Sequence, residues 1–199
     1  MAGNKPGDMA GKNIPFCLDK ESMYTRTIFL LFLCSYALLD CPGLRAQDSL
    51  LLRESVQKWQ NATAYTLEVA RAMPWEYYDF KPVEEEFTFA QQLEHMAGNM
   101  QWLAGKYLRG QAFTHPLLEQ TTRTPEESLS LLEISLAFAE ETLAHYPADS
   151  LNKVHDFFAG PLSSRQLIHL LHDHHTHHRG QLIVYLRLKG IRPPRYRGW

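Results

Sequence analysis

The chain has 199 residues, 45% of them hydrophobic and 12% aromatic, which is enough for one sizeable core and excludes wholesale disorder. Lys and Arg total 20 against 22 Asp and Glu, a net charge of -2, so there is no global basic field to hold a phosphate backbone and nucleic acid is not an expected partner. The three cysteines, Cys17, Cys34 and Cys41, all lie in the first 41 residues, so the rest of the chain has no thiol for a disulfide, a thiolate ligand or a nucleophile.

The N-terminus has the layout of a secretory leader. From Met23, a cation at Arg26 precedes an apolar run from Ile28 to Leu39, followed by Pro42, Gly43 and the small residue Ala46. That run is 12 residues, short of the ~20 needed to span a bilayer, so no stable membrane span is expected. Residues 1–22 are polar and make a long lead for such a signal, which points to Met23 as the true start. Asp40 directly before Cys41 argues against a lipidated cysteine. The reading is therefore a leader over residues 1–46, a domain over residues 47–199, and an exported protein, periplasmic or secreted.

Four helices follow in chain order. Residues 48–72 carry an apolar period near 3.6 through Leu52, Val56, Trp59, Leu67 and Ala70, with Thr63 the one polar residue on that stripe. Pro74 stops this helix, and the aromatic stretch from Trp75 to Pro82 reads as a loop. Residues 87–109 form a second helix, closed by Gly110. Thr124-Pro125-Glu126-Glu127 places an N-cap, a proline at the first helical position and a glutamate at the third, which starts a third helix that ends near Tyr146-Pro147. After Gly160-Pro161, Ser163 or Ser164 caps a last helix that runs to about Lys189. No alternating β-branched run announces a sheet, so the expected fold is all-α, a four-helix bundle.

Six of the ten histidines lie between His169 and His178 on that last helix. With His174 at 0°, the 100° turn puts His178 at about 40°, among Leu167, Leu170, Leu171, Tyr185 and Leu188, so the apolar stripe turns polar for two turns. Imidazoles at i and i+4 can share one cation, and neutral imidazole suits Zn, Ni, Cu or Fe. His177 can replace His178 in an i, i+3 pair, while His175 and His172 point progressively away and are read as surface or interface residues. A third ligand has to come from another helix, and His95 is the candidate. It runs with Asn99 and Trp102 along the flank of a face defined by Phe89, Leu93, Met96, Met100 and Leu103. Periodicity alone leaves His95 open between an edge histidine and a ligand. His115 and His155 fall in loops, and His145 ends a helix. No His-Glu-x-x-His, paired Glu-x-x-His, phosphate loop or Gly-x-Ser-x-Gly elbow is present.

Three stretches together resemble the DinB/YfiT-like superfamily of metal-binding four-helix bundles. They are Trp59 through Pro74 with Tyr78–Pro82, Phe89 through His95, and His174-His-Thr-His-His178-Arg-Gly-Gln181 followed by Val184–Arg187 and Gly190–Pro194. The resemblance implies a three-histidine site for Zn or Ni with ligands matching His95, His174 and His178, and a homodimer. Members of the superfamily include thiol-dependent S-transferases and isomerases, and many have no known activity. An exported chain departs from that pattern, since low-molecular-weight thiols are chiefly cytosolic.

Two functions compete. One is a metal-dependent hydrolase or thiol-type transferase acting on a small molecule, with Gln181 and Asn99 positioning a polar group and Glu94 or Asp173 orienting imidazoles. The other is a non-catalytic metal-binding or dimeric scaffold protein, favoured by the surplus histidines His169, His172, His175 and His177. The C-terminal cations, Arg187 to Arg197, read as solvated helix-end charge.

Overall fold

The computed structural model describes residue 3, residues 24–29 and residues 42–199. The chain divides into two compact units, residues 1–42 and 43–199. In the first, residues 24–29 are helical and exposed; the rest of the expected leader up to residue 41, its cysteines included, lies outside the described residues. Among the described residues no helix is long and apolar enough to cross a membrane.

The second unit is mostly helical. Helix α1 spans Pro42–Ala72 and begins six residues earlier than the apolar period indicates, opening on a proline, which suits a first turn. Helix α2, Phe89–Met100, starts at a capping box that the sequence reading passed over: the Thr88 hydroxyl accepts the Gln91 N–H, and the Gln91 side chain accepts the Thr88 N–H. From Gln101 to Arg109 the helix continues as wider π turns and stops at Gly110, whose φ of 70° suits glycine. There the loop folds back so tightly that a Cβ on Gly105 would lie 2.8 Å from the Gln111 carbonyl oxygen.

A short helix α3, Pro116–Glu119, is capped by the His115 side chain, which accepts the Leu117 N–H. Helix α4, Pro125–Ala144, begins at the predicted Thr124 box. Two-residue strands β1 (Val154–His155) and β2 (Leu162–Ser163) then pair antiparallel. A ladder this short carries no readable alternation, so no sheet is expected from the residues alone. Helix α5, Ser164–Leu188, is capped by Ser163 with Gln166 in the reciprocal role. It ends in a Schellman motif: Gly190 (φ 73°) donates to the Arg187 carbonyl and Ile191 to that of Leu186.

The four long helices bury one core. Trp59 from α1, Phe89 and Leu93 from α2, Leu132 and Leu136 from α4, and Leu167, Leu171 and Leu182 from α5 have no exposed surface. The seam between α1 and α5 is different in kind. Here Trp59 donates its indole N–H to the Leu136 carbonyl of α4 (3.1 Å) while its ring meets His172 and His175, with centroids 5.2 and 5.0 Å away. His175 Nε2 lies 2.7 Å from the Thr66 hydroxyl, and the buried Arg179 lies over the Tyr65 ring and reaches toward the Ala62 carbonyl and Thr66. This corrects the reading of His172 and His175 as surface residues: both are buried. A single inward stripe describes a helix with one neighbour, whereas α5 has a second buried face against α1, and that face is polar.

Candidate metal centre

α2 and α5 run antiparallel, so residues early in α2 meet residues late in α5. Gln92 and Phe87 reach Tyr185, and His95 reaches His174 and His178. The main apolar face of α2 is buried as expected, and its flank turns toward α5, which places one imidazole opposite the i, i+4 pair. His95 and His174 approach through their Nε2 atoms at 3.2 Å. Two nitrogen ligands on a tetrahedral ion at ~2.05 Å would be about 3.3 Å apart. A ligand nitrogen from each of His95, His174 and His178 lies within 4.8 Å of the other two. His177, the alternative to His178, is exposed and only edges the His178 ring.

The third imidazole is oriented by a relay that sequence reasoning missed. The Tyr185 hydroxyl donates to the Phe87 carbonyl (2.8 Å) and accepts from Gln92 Nε2 (3.4 Å). That leaves the Gln92 amide oxygen to accept from His178 Nδ1–H at 2.8 Å. With Nδ1 protonated, the lone pair of His178 is on Nε2. The signal was present in the sequence, since Gln92 is three residues before His95 and Tyr185 two turns beyond His178, but an amide in an apolar stripe does not reveal its partner. Gln92→Leu should weaken metal binding by about 10–100-fold, the usual cost of losing a group that orients a ligand. Competition with a chromophoric chelator measures it.

Neither of the two groups expected to orient imidazoles bonds to the cluster. Glu94 is held by the Ser128 hydroxyl (2.7 Å) and Arg123 (3.2 Å) and so ties α2 to the start of α4. Asp173 is exposed and makes no hydrogen bond or ion pair among the described residues. The Asn99 side-chain oxygen is buried without a hydrogen-bond partner among the described residues, and the Gln181 side chain lies against His178, where its hydrogen bond opposes the lowering of the His178 pKa.

The electrostatics favour uncharged imidazoles. Burial, then the neighbouring charges of His178, His95 and His177, pushes His174 down to about 4; burial, then His95 and His177, pushes His178 down to about 4. Burial lowers His95 as well. In the α1–α5 seam, His172 is also pushed down to about 4, chiefly by burial, and His175 well below the ordinary value. All these imidazoles are therefore uncharged at neutral pH. As pH falls below 6.5 the unfolded chain takes up protons that the folded chain refuses until about 4, so the metal-free fold loses stability across that window and little above it. Urea midpoints of the metal-free protein between pH 7 and pH 4 should decline accordingly; a flat profile would contradict the burial of these rings.

Helices that enclose an inter-helix cluster of three neutral imidazoles define a helical protein able to hold a metal ion. The chain belongs to the DinB family, whose model matches residues 46–198. It is 24% identical over 131 residues to the uncharacterized protein YjoA of Bacillus subtilis strain 168, covering 63% of this chain and 82% of that one. The crystal structure of that DinB-like protein superposes with a TM-score of 0.60 at 22% identity, covering 72% of this chain and 96% of its own. A DinB-like protein from Bacillus cereus ATCC 10987 gives 0.61 at 19% identity, covering 72% and 95%. At these identities the structural likeness speaks for the fold alone.

Proposed function

We propose that His95, His174 and His178 hold one divalent cation, Zn or Ni, with a coordination position left open, and that the protein is a metal-dependent hydrolase or thiol-type transferase acting on a small molecule. The observation that carries this reading is the meeting of three neutral imidazoles at one point, with the Gln92–Tyr185 relay turning His178 Nε2 toward the other two. When bound, such a cation supplies a Lewis acid that lowers the pKa of a coordinated donor toward neutrality. The chain's own residues do the rest: His95 stays partly exposed, so the cluster has a side open to solvent, and Gln92 holds His178 with its Nε2 free for the ion.

The non-catalytic metal-binding or dimeric scaffold protein is the weaker reading, because two of the four surplus histidines that favoured it, His172 and His175, are committed to the Trp59–Thr66 seam. Export and homodimer formation belong to the same proposal; the first rests on the Arg26, Ile28–Leu39 and Ala46 layout, the second on the family resemblance. The test is to purify the untagged chain and measure metal by mass spectrometry. One equivalent of Zn or Ni per chain supports the reading, and metal-free protein that cannot be loaded refutes it.

A further inference from the structure

Arg179 on α5 is a buried guanidinium with no carboxylate to match it. The residue is 7% exposed and forms no ion pair among the described residues. Only its Nη1 makes hydrogen bonds, 3.4 Å to the Ala62 carbonyl and 3.5 Å to the Thr66 hydroxyl, both long beside the ~2.8 Å of a charge-assisted bond. The Tyr65 ring, 5.2 Å away, adds a cation–π contact. Burial lowers the Arg179 pKa, and what opposes it is two phenols, Tyr65 and Tyr196. A charge taken out of water is costly unless it is paired and fully bonded, and here it is neither.

The groups around this guanidinium are donors, and no anionic acceptor is free among them. Its Nε and Nη2 make no hydrogen bond among the described residues, yet neither is sealed from solvent, and the same is true of the Tyr65 hydroxyl. Beyond Gly190 the C-terminal tail turns back along α1 and reaches this corner. Tyr196 meets Tyr65 edge-on with centroids 6.0 Å apart, and the Trp199 ring lies 5.8 Å from Lys58 Nζ. Tyr196 itself is 75% exposed. Glu68, the carboxylate that the tail meets on α1, is already paired with Arg197. Residues 187–199 carry five cations and no acid, so the field over the corner has one sign.

We propose that Arg179, Tyr65 and Tyr196 bind a tetrahedral oxyanion, the phosphate group of a small molecule or free phosphate, in the corner between α1, α5 and the tail. The guanidinium edge formed by Nε and Nη2 offers two parallel N–H donors to two oxygens, and the phenols offer O–H donors to the others. The ligand supplies the negative charge that the fold withholds from Arg179. Stability alone would put an apolar side chain at such a position. The site is on the side of α5 that faces α1, away from the histidine cluster, and it does not rest on the metal reading.

Titrating inorganic phosphate into the untagged full-length chain tests this, by calorimetry and by thermal melts with chloride at equal ionic strength as the reference. Wild type should bind one equivalent, and its melting temperature should rise along a saturating curve that chloride does not reproduce. His95→Ala should respond as wild type does, which separates this corner from an anion held by a metal. Arg179→Lys keeps the charge but loses the fork and should bind about tenfold more weakly. Tyr196→Phe keeps the ring and should weaken binding severalfold without changing the phosphate-free melting temperature. Arg179→Met should abolish binding and, without phosphate, melt no lower than wild type, because it removes an unmatched buried charge. A wild-type response no greater than that to chloride overturns the site, and so does a response that Arg179→Lys and Arg179→Met leave undiminished. A response lost in His95→Ala moves the phosphate to the metal and overturns it as well. Tighter binding of acetate than of phosphate overturns the phosphate assignment and gives the corner to carboxylates.

Discussion

Replacing His95 with alanine is expected to abolish stoichiometric metal binding while leaving the metal-free fold almost unchanged. The two effects separate because the side chain is partly exposed, at the edge of the α2–α5 seam, and contributes little packing; substitutions at such positions usually move stability by no more than about 0.5 kcal/mol. Metal affinity depends on it differently. His174 and His178 come from one helix and fix two corners of a coordination shell, and the third nitrogen, 3.2 Å from that of His174, comes only from α2. Losing it should cost several orders of magnitude in affinity. A cation present at a thousand times its dissociation constant stabilises the fold by about 4 kcal/mol, which for a chain of this size is roughly 8–16 °C in melting temperature. Wild type should gain that on loading and His95→Ala should not, with His115→Ala, at the α3 cap, behaving as wild type. If His95→Ala keeps wild-type affinity, α5 binds metal without α2 and the three-histidine centre is wrong.

The parts of the molecule readable in the sequence are those where one local signal decides the outcome. Helix ends are legible because a cap is a local hydrogen-bond arrangement: Thr124 caps as its spacing to Glu127 requires, Ser163 is the one of the two candidate serines that caps, and Gly110 and Gly190 take positive φ where a helix must stop. The His174–His178 pair was legible for the same reason, since i, i+4 spacing on one helix sets its own geometry. His95 was legible only as an open alternative, because whether an edge histidine meets a partner depends on the register of a second helix 79 residues away. The same limit hid the Gln92–Tyr185 relay. His172 and His175 were misread because the wheel assumes that burial is apolar. In α5 the second buried face is written in imidazole, guanidinium and hydroxyl groups, which pair with Thr66, Ala62 and the aromatic faces of Trp59 and Tyr65.

That polar seam makes Trp59→Ala the substitution with the largest expected effect on the fold. The indole is fully buried and does three things: it fills the space between α1 and α4, gives its N–H to the Leu136 carbonyl, and presents its ring to His172 and His175. Truncation leaves a cavity, strips the Leu136 carbonyl of its second donor and leaves two imidazoles facing a void, and His172 Nε2 already lacks a partner. Losses from removing a buried tryptophan run to about 3–5 kcal/mol, which corresponds to a fall of roughly 6–20 °C in the melting temperature of the metal-free chain. Trp59→Phe keeps most of the ring contact but loses the hydrogen bond, so about 1 kcal/mol of that loss should remain. The effect on metal is the reverse of that of His95→Ala. Trp59 meets the two histidines that face α1, whereas the cluster faces α2, so at a temperature where the variant is folded its metal affinity should stay near wild type. Thermal melts and metal titrations on both variants give the crossed pattern directly. A Trp59→Ala protein as stable as wild type would mean that the α1–α5 seam is not part of the cooperative core.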